Sequence, residues 1–142
     1  TEIRLARPGD AAEIVAMIHE LAEFERAAEQ CTVNEKLITA ALFGDDRVGF
    51  CHFAEVDGAA AAVALWFRNF STWDGVAGIY LEEYASLARE CVDNGYSRLS
   101  WAVLDWNVNA IGLYDAVGGR QMSEWITYRV SGSALSALAA ES

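Results

Sequence analysis

The sequence predicts an α/β protein in which a mixed sheet is flanked by helices. Three observations carry that expectation. Apolar residues recur at three- and four-residue spacing at Ile14, Met17, Ile18, Leu21 and Phe24, and again at Tyr84, Leu87, Ala88, Cys91 and Val92, the mark of helices with one buried face. Asp57-Gly58 joins two strand-like runs at 49–56 and 60–70, a strong hairpin signal. A helical stretch also crosses from the strand at Ile79 to the strand at Leu99, which makes those two strands parallel.

Taken in order, residues 2–6 alternate into a first strand, Pro8-Gly9 turns the chain, and Asp10 is placed to cap the first helix. That helix ends among Glu20, Glu23, Glu25 and Glu29, carboxylates at the end where the macrodipole favours cations, so they are either solvated or kept to face a cation. Thr32 or Asn34 caps a second helix with Leu37, Ile38, Ala41 and Leu42 on its buried side, ended by Gly44. The hairpin follows; its alanine-rich 59–64 run is read as strand because of the Asp-Gly turn and the Val-Ala-Leu-Trp-Phe ending. The Ile79 strand comes next, then a helix closed by Asn94-Gly95. Residues 97–104 alternate into another strand, and Asn107 leads into a helix carrying Ala110, Ile111, Tyr114 and Val117 before Gly118-Gly119. A last strand is expected at 121–130, and a C-terminal Leu-Ala helix capped around Ser131. The expected order is β-α-α-β-β-β-α-β-α-β-α, in a single domain over 1–142.

With 54% apolar residues the chain can bury a core without metal or disulfide. Its cysteines, Cys31, Cys51 and Cys91, are far apart and never in a C-x-x-C pair, and His19 and His52 fall in different elements, so neither a disulfide framework nor a metal site is expected. The longest uncharged apolar run is far short of a membrane span, and Thr1 opens no signal peptide; a cytoplasmic, soluble protein is the expectation. A net charge of -11 argues against nucleic acid and would draw a cationic substrate, although it also suits plain solubility.

This order, together with Ser71-Thr72-Trp73, Gly78-Ile79-Tyr80-Leu81-Glu82, the block Ala102-Val103-Leu104-Asp105-Trp106-Asn107 and the helix at 109–119, closely resembles the GNAT superfamily of acetyl-CoA-dependent N-acetyltransferases. Within it the chain is most similar to the diamine (spermidine/spermine) and thialysine acetyltransferase branch. The resemblance implies a mostly antiparallel sheet with a parallel pair in the middle, acetyl-CoA as cosubstrate, a small cationic amine as substrate and a possible homodimer. It implies that Tyr114 protonates the departing thiolate and that Glu82 relays a proton from the substrate ammonium through water. Asn107 and Tyr114 match cofactor-facing positions; read alone, Asn107 is an N-cap and Tyr114 a packed helix residue. Glu25 and Glu29 match carboxylates that face a distal ammonium, and Trp73 and Trp125 match aromatics lining that channel, where cation-π attraction suits alkylammonium chains. Ser71 stands where the spermidine/spermine enzymes carry an acidic residue, which favours a lysine-like or short diamine substrate.

One departure is large. In the superfamily this strand continues into an R-x-x-G-x-G/A loop whose N–H groups cradle the cofactor pyrophosphate at a helix N-terminus. Here Glu82 passes directly to Glu83, with no turn residue between strand and helix. Roughly 15 to 20 residues are expected to be missing at that joint by ordinary strand and loop lengths. The competing expectation is a GNAT-like binding or regulatory domain without a working acetyl-CoA loop.

Overall fold

The computed structural model describes residues 2–81 and 87–141. The chain forms two compact units, Thr1–Leu104 and Asp105–Ser142. The first holds a five-stranded sheet in the order β1 (Glu2–Leu5), β2 (Phe50–Val56), β3 (Ala59–Phe70), β4 (Ala77–Leu81) and β5 (Leu99–Trp101). Neighbours are antiparallel except β4 and β5, which pair parallel as expected, from Ile79 opposite Leu99 to Leu81 opposite Trp101. The strand anticipated over 97–104 is shorter, running over Leu99–Trp101.

Between β2 and β3, Asp57 and Gly58 both take positive φ (53° and 77°), the left-handed pair that a two-residue hairpin with matching twist requires. The alanine run is strand, as read. The register steps from Ala54 opposite Ala62 to Glu55 opposite Ala60, so Ala61 is an extra, unpaired residue in a bulge.

Period-2 alternation then sorts β2 and β3 onto two cores. Cys51, Phe53 and Val63 face Ala11 and Ile14 of α1 (Ala11–Phe24) and Ile38 and Leu42 of α2 (Glu35–Phe43). Ala64, Trp66, Ile79 and Leu81 face the other way, toward Cys91 of α3 (Leu87–Asp93). Helices thus cover both faces. Several stripe residues lie outside the cores: Phe24, Leu37, Ala88 and Val92 are exposed, and Tyr84 lies outside the described residues. The two cores consequently rest on fewer helix side chains than the periodicity suggests. Asn34 is the cap of α2, its Oδ1 accepting from Leu37 N–H at 3.0 Å, and Gly95 (φ 66°) closes α3.

Asp10 corrects an expectation. It sits at the N-cap position of α1 but makes no cap bond there. Its carboxylate instead accepts from the Arg4 guanidinium at 2.7 and 3.0 Å and from Arg7 N–H at 2.7 Å, while Arg4 also binds Glu55 Oε1 at 2.6 Å. A carboxylate paired bidentately with a guanidinium is held more strongly than one capped by a neutral backbone N–H. Arg4 holds the Asp10 carboxyl below its usual range, aided by the Arg7 N–H against the opposing cost of burial, and Arg4 itself is raised. A depressed folded pKa contributes stability that is fully present above the ordinary carboxylate value, near 3.9, and is lost as pH falls through the folded value. The urea midpoint should therefore hold down to about pH 5 and decline below it, with Asp10→Asn flattening that acid limb; an unchanged limb in the variant would remove Asp10 from the account.

The second unit holds α4 (Val108–Ala116) and α5 (Gly132–Ala140), neither with a buried residue. Gly118 takes φ 87° and Gly119 N–H donates to the Tyr114 carbonyl at 2.9 Å, so the double glycine ends α4 as expected. Ser131 stands at the N-cap position of α5 without a side-chain cap bond. The strand expected at 121–130 is absent: these residues pair with no strand, and Trp125 N–H folds back to the Met122 carbonyl at 3.0 Å. Alternation makes a strand only where a neighbouring ladder receives it.

Candidate active site

The Glu82–Glu83 joint, and with it Glu82 as candidate base, lies outside the described residues. The strand that leads to it is well anchored. Leu81 and Ile79 are buried, and between them and the preceding turn Gly78 has no room for a side chain: a Cβ there would stand 2.7 Å from Asn69 Oδ1 and 2.8 Å from Arg98 Cγ. On the neighbouring strands Trp66 stacks on Phe50 at 4.5 Å and donates its indole N–H to His52 Nδ1 at 3.0 Å, a bond that requires the tautomer with the proton on Nε2.

At the opposite end of β4 the chain turns through 71–76, with Trp73 at its crest, 86% exposed. The turn is tied repeatedly to itself. Ser71 N–H donates to the Val76 carbonyl (3.0 Å), Gly75 N–H to the Ser71 carbonyl (2.9 Å) and Asp74 N–H to the Ser71 hydroxyl (3.1 Å). Arg98 donates from one Nη to that hydroxyl and to Asp74 Oδ2, the latter at 2.5 Å, and Ser97 Oγ reaches the same carboxylate oxygen at 3.2 Å. Arg98 first, then the hydroxyls of Ser71 and Ser97, hold the Asp74 carboxyl below its usual range. The sequence offered no signal for Arg98, because its role depends on β5 running beside β4.

Glu25 is the half-buried C-cap of α1, and Glu29 is exposed in the 3₁₀ turn Ala28–Gln30. The α1 last turn carries no basic residue, and Glu25 stands at the negative end of the helix dipole. On α4, Asn107 is the N-cap, its Oδ1 accepting from Ala110 N–H at 3.2 Å, which leaves its amide N–H₂ as a donor. Tyr114, half-buried, follows seven residues later. Two helical turns put both on one side of α4, roughly 10 Å apart along its axis. Trp125 is exposed in the same unit. Among the described residues no group of three His, Cys, Asp or Glu side chains gathers as a metal centre would need, and no helix is long and apolar enough to cross a membrane.

No protein-family model matches the chain. Curated relatives do. The thialysine N-epsilon-acetyltransferase of Bos taurus is 34% identical over 164 residues, 96% of each chain, and that of Caenorhabditis elegans 32% identical over 158 residues. An L-ornithine N5-acetyltransferase of Arabidopsis thaliana is 25% identical over 199 residues, covering 97% of this chain and 87% of the relative. These stretches exceed the chain's own 142 residues, so the relatives carry, inside the matched region, residues that this chain lacks. Among solved structures, the integron cassette protein VCH_CASS6 of V. cholerae superposes with a TM-score of 0.77 over 97% of this chain and 96% of its own, at 18% identity. A ribosomal-protein-alanine N-acetyltransferase of Brucella melitensis superposes with a TM-score of 0.68 over 92% and 98%, at 16% identity.

Proposed function

We propose, from the premise that this chain belongs to the GNAT superfamily of N-acetyltransferases in the branch of the thialysine enzymes and is an acyltransferase, that it acetylates a primary amine of a small cationic substrate directly from acetyl-CoA, within a ternary complex. The observation that carries the reading is the near end-to-end match to enzymes named for side-chain nitrogens of lysine-like and ornithine substrates. Bound acetyl-CoA supplies the activated acyl group. The placement of Asn107 and Tyr114 along one side of α4 suits such an elongated group, with Asn107 offering its amide donor.

The chain's own part is proton traffic and cation binding. An alkylammonium must lose a proton before its nitrogen can attack, and Glu82, next after buried Leu81, is the proposed acceptor through water. The C–S bond breaks as the C–N bond forms, and the Tyr114 hydroxyl gives its proton to the leaving sulfur; a phenol, with pKa near 10, still carries that proton at neutral pH. Glu25 and Glu29 would hold a distal cation, with Trp73 and Trp125 against its methylene chain. Residues 1–142 are read as one N-acetyltransferase domain, cytoplasmic, a possible homodimer, binding neither nucleic acid nor membrane and needing no metal.

The decisive experiment is a thermal shift with acetyl-CoA. At about 100 times Kd a binder gains about 2.7 kcal/mol. No shift would assign this chain, as it stands, to a GNAT-like binding or regulatory domain, the reading favoured by the shortfall in length against the relatives. For the amine end, replacing Glu25 and Glu29 by Gln should raise KM for a diamine more than for a monoamine of equal length, with the difference shrinking in salt because partly exposed charges are screened within about 8 to 10 Å. Equal losses for both amines would count against this placement.

A further inference from the structure

We infer that Arg98 is a positioning residue for the amine site: it holds the 71–76 turn and thereby sets where the Trp73 indole meets the substrate chain. The inference rests on the reading of Trp73 given above.

Arg98 is fixed at its root. Its carbonyl accepts from Ile79 N–H at 3.0 Å, and its Cγ lies over Gly78, close enough that any Cβ on that residue would strike it. From there the guanidinium reaches across β4 to the two residues that bracket Trp73, the hydroxyl of Ser71 two positions before and the carboxylate of Asp74 one position after. Ser71 is buried, so its hydroxyl is a stationary anchor, while the Arg98–Asp74 pair is 45% exposed on each side. An ion pair so wetted adds little to global stability. Its effect is local: one guanidinium nitrogen, carried by the residue just before β5, is tied to both flanks of an exposed tryptophan. Asp74-Gly75 alone would make a turn; what Arg98 adds is one orientation of that turn relative to β4.

The test compares Arg98→Met, Arg98→Lys and Trp73→Ala, using thialysine and L-ornithine as probes. Arg98→Met should raise KM for the amine roughly tenfold, short of the hundredfold that misplacing reacting groups can cost, with kcat and the KM for acetyl-CoA within about twofold. Arg98→Lys should recover part of the loss. Amide exchange at Asp74 and Gly75 should quicken in Arg98→Met while β2 and the rest of β3 stay protected, a readout that needs no turnover. If Trp73→Ala raises the amine KM and Arg98→Met does not, the inference fails and the reading of Trp73 stands. If Trp73→Ala leaves it unchanged, the reading of Trp73 fails and takes the inference with it. A fall of kcat and thermal stability together in both Arg98 variants would make Arg98 merely structural and overturn the proposal.

Discussion

Tyr114→Phe is expected to leave α4 and acetyl-CoA affinity nearly intact while lowering kcat by roughly 10- to 10⁴-fold, the range for removing one proton-transfer group. The local structure supports a clean comparison. α4 is started by Asn107 capping Ala110 N–H and stopped by Gly119 N–H on the Tyr114 carbonyl, main-chain and capping bonds that Phe keeps. The ring, half-buried, is retained as well. Single-turnover kinetics, with chemistry shown to limit the rate, would separate the proton transfer from product release. Turnover equal to that of the parent would return Tyr114 to a packing role.

Ile79→Ala is expected to cost about 2 to 5 kcal/mol, out of the ~5 to 15 kcal/mol that holds a domain together. Ile79 is 0% exposed, at the centre of β4, with Trp66, Leu81, Ala64 and Cys91 in the same cluster. It is hydrogen-bonded to the Arg98 carbonyl by its own N–H, so the backbone cannot slide to fill the void. A urea titration should show a lower midpoint at an unchanged slope. A loss below about 1 kcal/mol would mean the core collapses around the gap, and that β4 is less firmly set than its burial indicates.

What could be read in advance was local chemistry. The Asp57-Gly58 turn, the Asn34 and Asn107 caps, and the glycines that end α3 and α4 each act within a few residues of themselves, so the chain order displays them. The parallel β4–β5 pair followed from one crossing helix. What failed depended on partners that periodicity and capping signals do not name. Residues 121–130 alternate correctly but meet no ladder, and Asp10 leaves its helix for Arg4, whose other carboxylate, Glu55, stands on β2. The candidate site divides the same way. Asn107 and Tyr114 share a helix and could be related by spacing, whereas the bond from Arg98 to the flanks of Trp73 spans 24 and 27 positions and is visible only once the sheet is built.

The parallel pairing of β4 with β5 leaves the length of the connection between them free. A parallel partner is reached only by leaving the sheet, crossing over a face and returning, and the strands register on each other by Ile79 with Leu99 and Leu81 with Trp101, whatever path lies between. Closing a longer excursion costs chain entropy only logarithmically, about 0.6 kcal/mol for each doubling of the loop. A flexible stretch in such a crossing can therefore lengthen at little cost in chain entropy while the β4–β5 register stays as it is.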